Sequence, residues 1–296
     1  MKAMKRKILN IGNMTGIYAL LIIFAFVYIY PLTYAALQSF MAAEDIFNPM
    51  VHYVPENFTF DNYLVLINRM NFFGSIAYSM FLSGTTGLIS ALSCGLMGFA
   101  LSRFEFKLKK LYIGLLIACL IIPPQVLMIP TFLGYSNLGL IGSEISFFLP
   151  ALLGQGIKAP IFILICYSYF NTIPKSLDEA AQIDGCSPLA TFFRMLLPLA
   201  MPALVLVFIF SMVWYWNETY LTTLYIGDSA NTLNSNIALV LSTMENEALR
   251  DPMMARVNLP VKMASVIISI IPLVVFYLFM QKQFVEGIDR TGITGE

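Results

Sequence analysis

The stretch Lys175 to Pro198 reads KSLDEAAQIDGCSPLATFFRMLLP and lies between two very apolar runs. It is polar, yet its residues carry the spacing of helices rather than of a connector. Ser176 with Glu179 has the spacing of a capping box, in which hydroxyl and carboxylate each satisfy an orphan backbone donor, so a short helix is expected from Ser176. Asp184 and Gly185 supply the stop, because a glycine accepts the left-handed conformation that closes a helix. Ser187 and Pro188 restart a second helix, and Pro198 opens the next apolar run. Two short helices at a right-angle bend, held between membrane spans, form a surface on which another protein can dock.

Working outward, the composition fixes the solvent. The chain of 296 residues is 58% hydrophobic and 11% charged, with a mean hydropathy of +0.77, which is too apolar for a soluble domain and places it in the polytopic membrane class. Its formal net charge is zero, so nucleic acid is not an expected partner. The cysteines Cys94, Cys119, Cys166 and Cys186 are isolated, and His52 is the only histidine. Neither a disulfide framework nor a multi-histidine metal site is expected.

Basic residues Lys2, Lys5, Arg6 and Lys7 precede a first apolar run from Met14 to Leu37, longer than the core of a signal peptide. Further runs lie near Phe72–Leu101, Leu111–Leu133, Ile145–Phe170, Leu199–Leu221 and Pro260–Met280. Each exceeds the roughly 20 residues that cross about 30 Å of hydrocarbon, so the expectation is an all-α polytopic membrane protein with six transmembrane helices. With the N-terminus inside, twelve Lys and Arg fall in inner segments and four, Arg69, Arg250, Arg256 and Lys262, in outer ones. The positive-inside rule then puts both termini and the Lys175–Pro198 loop in the cytoplasm.

The outer loops 38–71 and 222–259 carry Glu44, Asp45, Glu56, Asp61, Asp228, Glu245, Glu247 and Asp251. Loops of this length are either functional or disordered, and these are read as a surface for an external partner protein or as a solvated acidic face. Pro123, Pro124 and Pro130 interrupt the third span, and Gly154, Gly156 and Pro160 the fourth. Backbone groups freed at that depth are tolerated where protein or a polar cavity re-satisfies them, which fits a translocation path or kinks that improve packing. Lys158 sits about 20 Å from the outer end of its span at 1.5 Å per residue, and an unpaired cation there must face the protein interior, a partner subunit or a polar cavity.

Apart from Lys158, and Glu218 near the end of span five, these spans hold almost no ionisable groups, whereas proton-coupled carriers need an intramembrane relay. No G-x-x-x-x-G-K-[ST] phosphate loop occurs, so the chain is not itself an ATPase. No Ser/His, paired-carboxylate or metal-ligand constellation marks a membrane enzyme. The work of transport is expected to enter through a cytoplasmic partner that grips the loop from Glu179 to Met195.

Glu179-Ala180-Ala181, Gly185, Met195, Leu197 and Pro198 match the signature of the membrane subunits of prokaryotic ABC importers, with Met195 where isoleucine is usual, a volume-conserving change. The chain also resembles the carbohydrate branch of that family, the MalG-like subunit of a pair, in four further places. These are GFALSRFEF at Gly98–Phe106, the run from Pro123, Trp216-Asn217-Glu218, and the tail from Gln281, although Gly292-Ile293-Thr294-Gly295 departs from the usual ending Ala-Val-Lys-Gly. The resemblance implies the type I ABC importer permease fold. Its parts would be a cytoplasmic N-terminus 1–13, a first helix 14–37, an external loop 38–71, a permease core 72–283 with coupling loop 175–198 and external loop 222–259, and a cytoplasmic tail 284–296. It implies ATPase coupling through Glu179, Ala180, Ala181, Asp184, Gly185, Met195, Leu197 and Pro198, with the two alanines and Gly185 keeping the docked surface low. The implied partners are a sister permease, two ATPase subunits that use the ATP, an extracytoplasmic sugar-binding protein, a carbohydrate and membrane lipid, in a bacterial plasma membrane. This chain would bind no cofactor of its own. Tyr78, Lys158, Trp214, Trp216 and Asn217 are candidates for the substrate path, as sugar contacts or as packing residues. Rival readings are an ABC permease for a polyamine, amino acid or phosphate, and a stand-alone carrier or channel.

Overall fold

The computed structural model describes residues 2–227 and 230–292, so Asp228 of the outer loop and Ile293-Thr294-Gly295 of the tail lie outside the described residues. In chain order the helices are α1 (Lys2–Ser39), α2 (Ala43–Phe47), α3 (Asp61–Arg69), α4 (Phe72–Arg103), α5 (Lys109–Ile121), α6 (Pro124–Asn137), α7 (Ile145–Leu152) and α8 (Ala159–Thr172). They continue with α9 (Ser176–Ile183), α10 (Pro188–Thr191), a π-helical turn Phe192–Leu196, α11 (Leu197–Leu199), α12 (Met201–Asn217), α13 (Tyr220–Ile226), α14 (Leu233–Arg250), α15 (Pro252–Val257) and α16 (Leu259–Gly292). The chain divides into two compact units, 1–71 with 237–271, and 72–236 with 272–296.

Met14–Ser39, Phe72–Arg103 and Leu259–Gln283 are each long and apolar enough to cross a membrane. The other expected spans are not single rods. α5 and α6 meet at 103°, and the segment Pro188–Leu199 meets α12 at 80°, so the structure offers three candidate spans, or five if each bent pair counts as one. Pro124 explains the first bend: a proline lacks the N–H and forces its predecessors out of the helical region, and Ile122 and Pro123 are extended at ψ 121° and 129°. Pro130, in contrast, stays inside α6. The fourth run is two helices, α7 and α8, separated by Leu153–Lys158, with Gly154 at φ 68° and Lys158 at φ 59°. Pro160 opens α8 rather than interrupting it, as a proline in the first turn does. The fifth run ends at Asn217, four residues earlier than expected, because Glu218 is extended and its carboxylate Oε1 accepts the Leu221 N–H at 2.9 Å to begin the next helix.

In the second unit α4 is the central element. Its buried positions include Ser75, Ser79, Ser83, Thr86, Ser90 and Ser93 with Gly87, Gly95 and Gly98, a face of small residues that lets neighbouring backbones close in. Small residues do this in membranes because packing, rather than water exclusion, holds helices together. A Cβ on Gly98 would lie 2.7 Å from the Tyr167 backbone nitrogen and 2.5 Å from the Cys166 Cβ, so α8 is seated directly on that glycine. Several of these hydroxyls are satisfied locally or across the interface: Ser83 donates to Ser79 O at 2.6 Å, and Ser93 to Ala151 O at 2.6 Å. Phe99, Phe170 and Phe192, from α4, α8 and the π-helical turn, cluster with ring centroids 5.0–6.1 Å apart.

In the first unit the expected outer loop 38–71 is an ordered structure. Asp45 is buried and accepts the Asn57 backbone N–H and side-chain amide, both at 2.9 Å. Asn62 donates to Ser39 O and Met41 O at 2.9 and 3.0 Å, and Met41 pairs with Phe58 in an isolated antiparallel bridge. The expected loop 222–259 is largely helical as well, and within this unit the buried Asn258 ties α15 to α14 through Met244 O at 3.0 Å.

Candidate functional site

The hairpin that follows α8 is built by its turns. The helix α9 starts at Ser176 as expected, but without the capping box: Lys175 is the flanking residue, helical at φ −66° and ψ −21°, and its carbonyl accepts the N–H groups of Asp178 and Glu179. Ser176 is therefore the first residue inside the helix, and no side-chain cap forms between it and Glu179. Pro174 is the physical reason, since its carbonyl already accepts the Leu177 N–H and sets the first turn. At the other end Cys186 N donates to Ala181 O at 2.9 Å and Gly185 N to Gln182 O at 3.0 Å, with Gly185 at φ 78°. That paired closure is a Schellman motif, which needs a residue at ease with positive φ. Ser187 then caps α10, its hydroxyl accepting the Ala190 N–H at 3.3 Å.

One side chain fixes this hairpin to the helices around it. Arg103, in the last turn of α4, pairs through Nε with Asp178 Oδ2 at 2.8 Å and donates from Nη1 to Phe170 O at 2.9 Å and from Nη2 to Ile173 O at 3.0 Å. The two side chains are 7% and 16% exposed, so this is a shielded pair. The fork of a guanidinium is suited to it, joining α4, the C-terminal end of α8 and α9 with fixed geometry. Beside it lies a cleft of about 360 Å³ lined by Arg103, Lys175, Asp178, Glu179, Gln182 and Pro188 among others. Outside the cleft, Lys109 pairs with Glu105 at 2.8 Å and holds that carboxyl below its usual range.

Of the residues expected to couple to an ATPase, Glu179, Ala180, Asp184, Gly185 and Pro198 are exposed, while Met195 and Leu197 are half-buried. Ala181 is a correction: it is 1% exposed and turned into its own protein, so it lowers the inner rather than the outer surface. Sequence reasoning missed Ile183, Leu189 and Phe193, which present exposed apolar side chains on the hairpin. It also missed Arg103 and Asp178. Arg103 counted only toward the charge balance and as one residue of the GFALSRFEF run, and the available signal was a basic residue at a helix end with an acidic one in the first turn of α9.

The expected substrate-path residues separate into two groups. Lys158 Nζ lies over the Trp214 ring, 4.9 Å from its centroid, and Trp214 and Asn217 are exposed on α12. Trp216 is buried, with its carbonyl accepting from Asn234, and the Tyr78 hydroxyl donates to Glu144 at 2.9 Å. Among the described residues no cluster of His, Cys, Asp and Glu could hold a metal ion.

Comparison with known proteins matches residues 83–290 to the model of the binding-protein-dependent transport system inner membrane component. The chain is similar to the polygalacturonan/rhamnogalacturonan transport system permease protein YtcP of Bacillus subtilis (strain 168), 31% identical over 92% of this chain and 94% of that one. It is 28% identical to the arabinooligosaccharides transport system permease protein AraQ of Halalkalibacterium halodurans, over 92% and 93% of the two chains. Its fold resembles that of a chain in the crystal structure of a bacterial ABC transporter involved in the import of the acidic polysaccharide alginate. That match has a TM-score of 0.72 and 24% identity, and it covers 92% and 97% of the two chains.

Proposed function

This chain belongs to the family of binding-protein-dependent transport system inner membrane components, transport subunits rather than enzymes, and from that premise we propose that it is the permease subunit of an ATP-driven importer of an oligosaccharide. Its partners are then a sister permease, two ATPase subunits that consume the ATP, and an extracytoplasmic sugar-binding protein. In this reading six spans cross a bacterial plasma membrane with both termini inside, and the hairpin 175–198 faces the cytoplasm within a permease core 72–283. The sugar assignment is supported by relatives whose names carry polygalacturonan and arabinooligosaccharides.

The observation that carries the mechanism is the shielded Arg103–Asp178 pair with its two bonds to Phe170 O and Ile173 O. A hairpin that merely hung from the membrane would move without consequence. One locked to the ends of α4 and α8 transmits a push, so closure of the ATPases on α9 and α10 rocks these helices between inward-facing and outward-facing arrangements. Glu179, Ala180, Asp184 and Gly185 form the contact, and Met195, Leu197 and Pro198 carry the motion into α12.

The test is Gly185→Val in the reconstituted importer. A Cβ at Gly185 meets nothing within 4 Å in this chain, and the backbone cost of a left-handed non-glycine is about 1–2 kcal/mol. The variant is expected to assemble and hydrolyse ATP while uptake per ATP falls about tenfold or more, a loss equal to at least about 1.4 kcal/mol of coupling. Uptake at the wild-type ratio would remove the hairpin from the mechanism.

A further inference from the structure

The break between α7 and α8 holds a cation where the membrane gives it no reason to be. Lys158 stands midway along the apolar run Ile145–Phe170, and among the described residues it is the one non-glycine at positive φ, 59°. A lysine in that conformation is strained, and strain of this kind collects at sites of function. The ion pairs among the described residues are Arg103–Asp178 and Lys109–Glu105, so no carboxylate neutralises Lys158. Its ammonium rests instead on the Trp214 ring at 4.9 Å. Glu218, the residue that follows α12, directs its carboxylate to the Leu221 N–H.

Two further features add positive potential and a sugar-binding face. Lys158 is the N-terminal flanking residue of the 14-residue helix α8, whose dipole places partial positive charge at the same point. Trp214 is 45% exposed, and Asn217, three residues on and also exposed, shares its side of α12. Lys158 is half-buried, and a cation at this depth is too costly against hydrocarbon and must border a polar space. An ammonium parked on an indole holds its place by a cation–π contact weaker than the charge-assisted bond it would make to a carboxylate.

We propose that Lys158 and Trp214 form an anion-selecting sugar subsite on the translocation path, which takes a uronic-acid unit: the ammonium follows the carboxylate while the indole it uncovers stacks against the pyranose ring. The inference rests on the oligosaccharide-importer reading and narrows its substrate to acidic saccharides. No covalent step is involved. The subsite favours carboxylated over neutral sugar because the half-buried charge of Lys158 gains its counter-ion only with the former.

The test uses the complete reconstituted importer with its binding protein, and compares ATP-dependent uptake of trigalacturonate with that of its fully methyl-esterified form. Wild type is expected to prefer the acid. Lys158→Gln is expected to lower uptake of the acid about tenfold, with uptake of the ester changed by less than about threefold, and Lys158→Arg to keep most of the preference. Lys158→Gly separates folding from selectivity: it relieves the left-handed strain, so it is expected to melt at or above the wild-type temperature and still lose the preference for the acid. Equal loss of both sugars with Lys158→Gln, accompanied by dissociation of the sister permease on gel filtration, would assign Lys158 to a subunit contact and overturn the proposal. Uptake of neutral sugar alone by wild type would also overturn it while leaving the importer reading intact. Uptake of neither sugar nor of any other oligosaccharide would bring down both.

Discussion

Single residues in this protein act through what their neighbours leave no room for, or no replacement for. Gly98 is the sharpest case: α8 passes so close that any side chain on it must push helices apart. Gly98→Val is expected to lower stability by about 1–3 kcal/mol, the usual cost of overpacking, whereas Gly84→Ala on the same helix meets nothing within 4 Å and is expected to hold or gain slightly. Thermal unfolding of the purified protein in detergent distinguishes the two. Asp45 works by charge. The Asn57 backbone N–H holds its carboxyl below the usual carboxylate range, against the opposing pull of burial. A carboxyl with a depressed folded value contributes stability that is fully present above the unfolded value of about 3.9 and is lost as pH falls through the lower folded value. Limited proteolysis of the 40–60 region should therefore accelerate in wild type only below about pH 4, while Asp45→Asn should be cut faster at neutral pH and show little dependence on acid.

Helices and turns depend on how far apart their determinants lie in the chain. Arg103→Ala would strand Asp178 and two helix-end carbonyls, and loss of one member of a shielded pair costs about 3 kcal/mol or more. Arg103→Lys is expected to recover only part of the effect, because one ammonium cannot serve Asp178, Phe170 O and Ile173 O as the fork does. The readout is sugar imported per ATP hydrolysed, which should fall in the alanine variant before the complex dissociates. The pair also shows where sequence reading stops. The stop at Asp184-Gly185 and the restart at Ser187-Pro188 were legible, since glycine, serine and proline act on the backbone within a few residues of themselves. The start of α9 at Ser176 was legible as well, but the capping box itself does not form, because Pro174 and Lys175 already set that turn. The Arg103–Asp178 pair was invisible, since nothing local ties residues so distant in the chain. Proline and glycine positions predicted that the third and fourth runs break, but not that the third turns by 103°, that Pro130 is absorbed, or that the segment before α12 bends by 80°. A kink angle is set by neighbouring helices.

At the scale of the whole molecule, apolar length foretold a membrane protein, and the segments 14–39, 72–103 and 259–283 stand as long helices. Orientation rests on the charge balance and has a direct check in Cys186, a free and partly exposed thiol on the hairpin. A membrane-impermeant maleimide should label it in inside-out vesicles, and in right-side-out vesicles only after they are permeabilised. In a variant keeping only this cysteine, labelling from outside would place the hairpin on the wrong face for an ATPase. The narrow, nearly bulkless face of α4 also governs how such a protein can diversify. Since α7, α8 and α12 all lean on this helix, and a side chain added at Gly87 or Gly98 would meet the backbone of α12 or α8, a single bulky change on this axle would disturb several contacts at once, whereas a change on the outward side of α12 would leave it untouched.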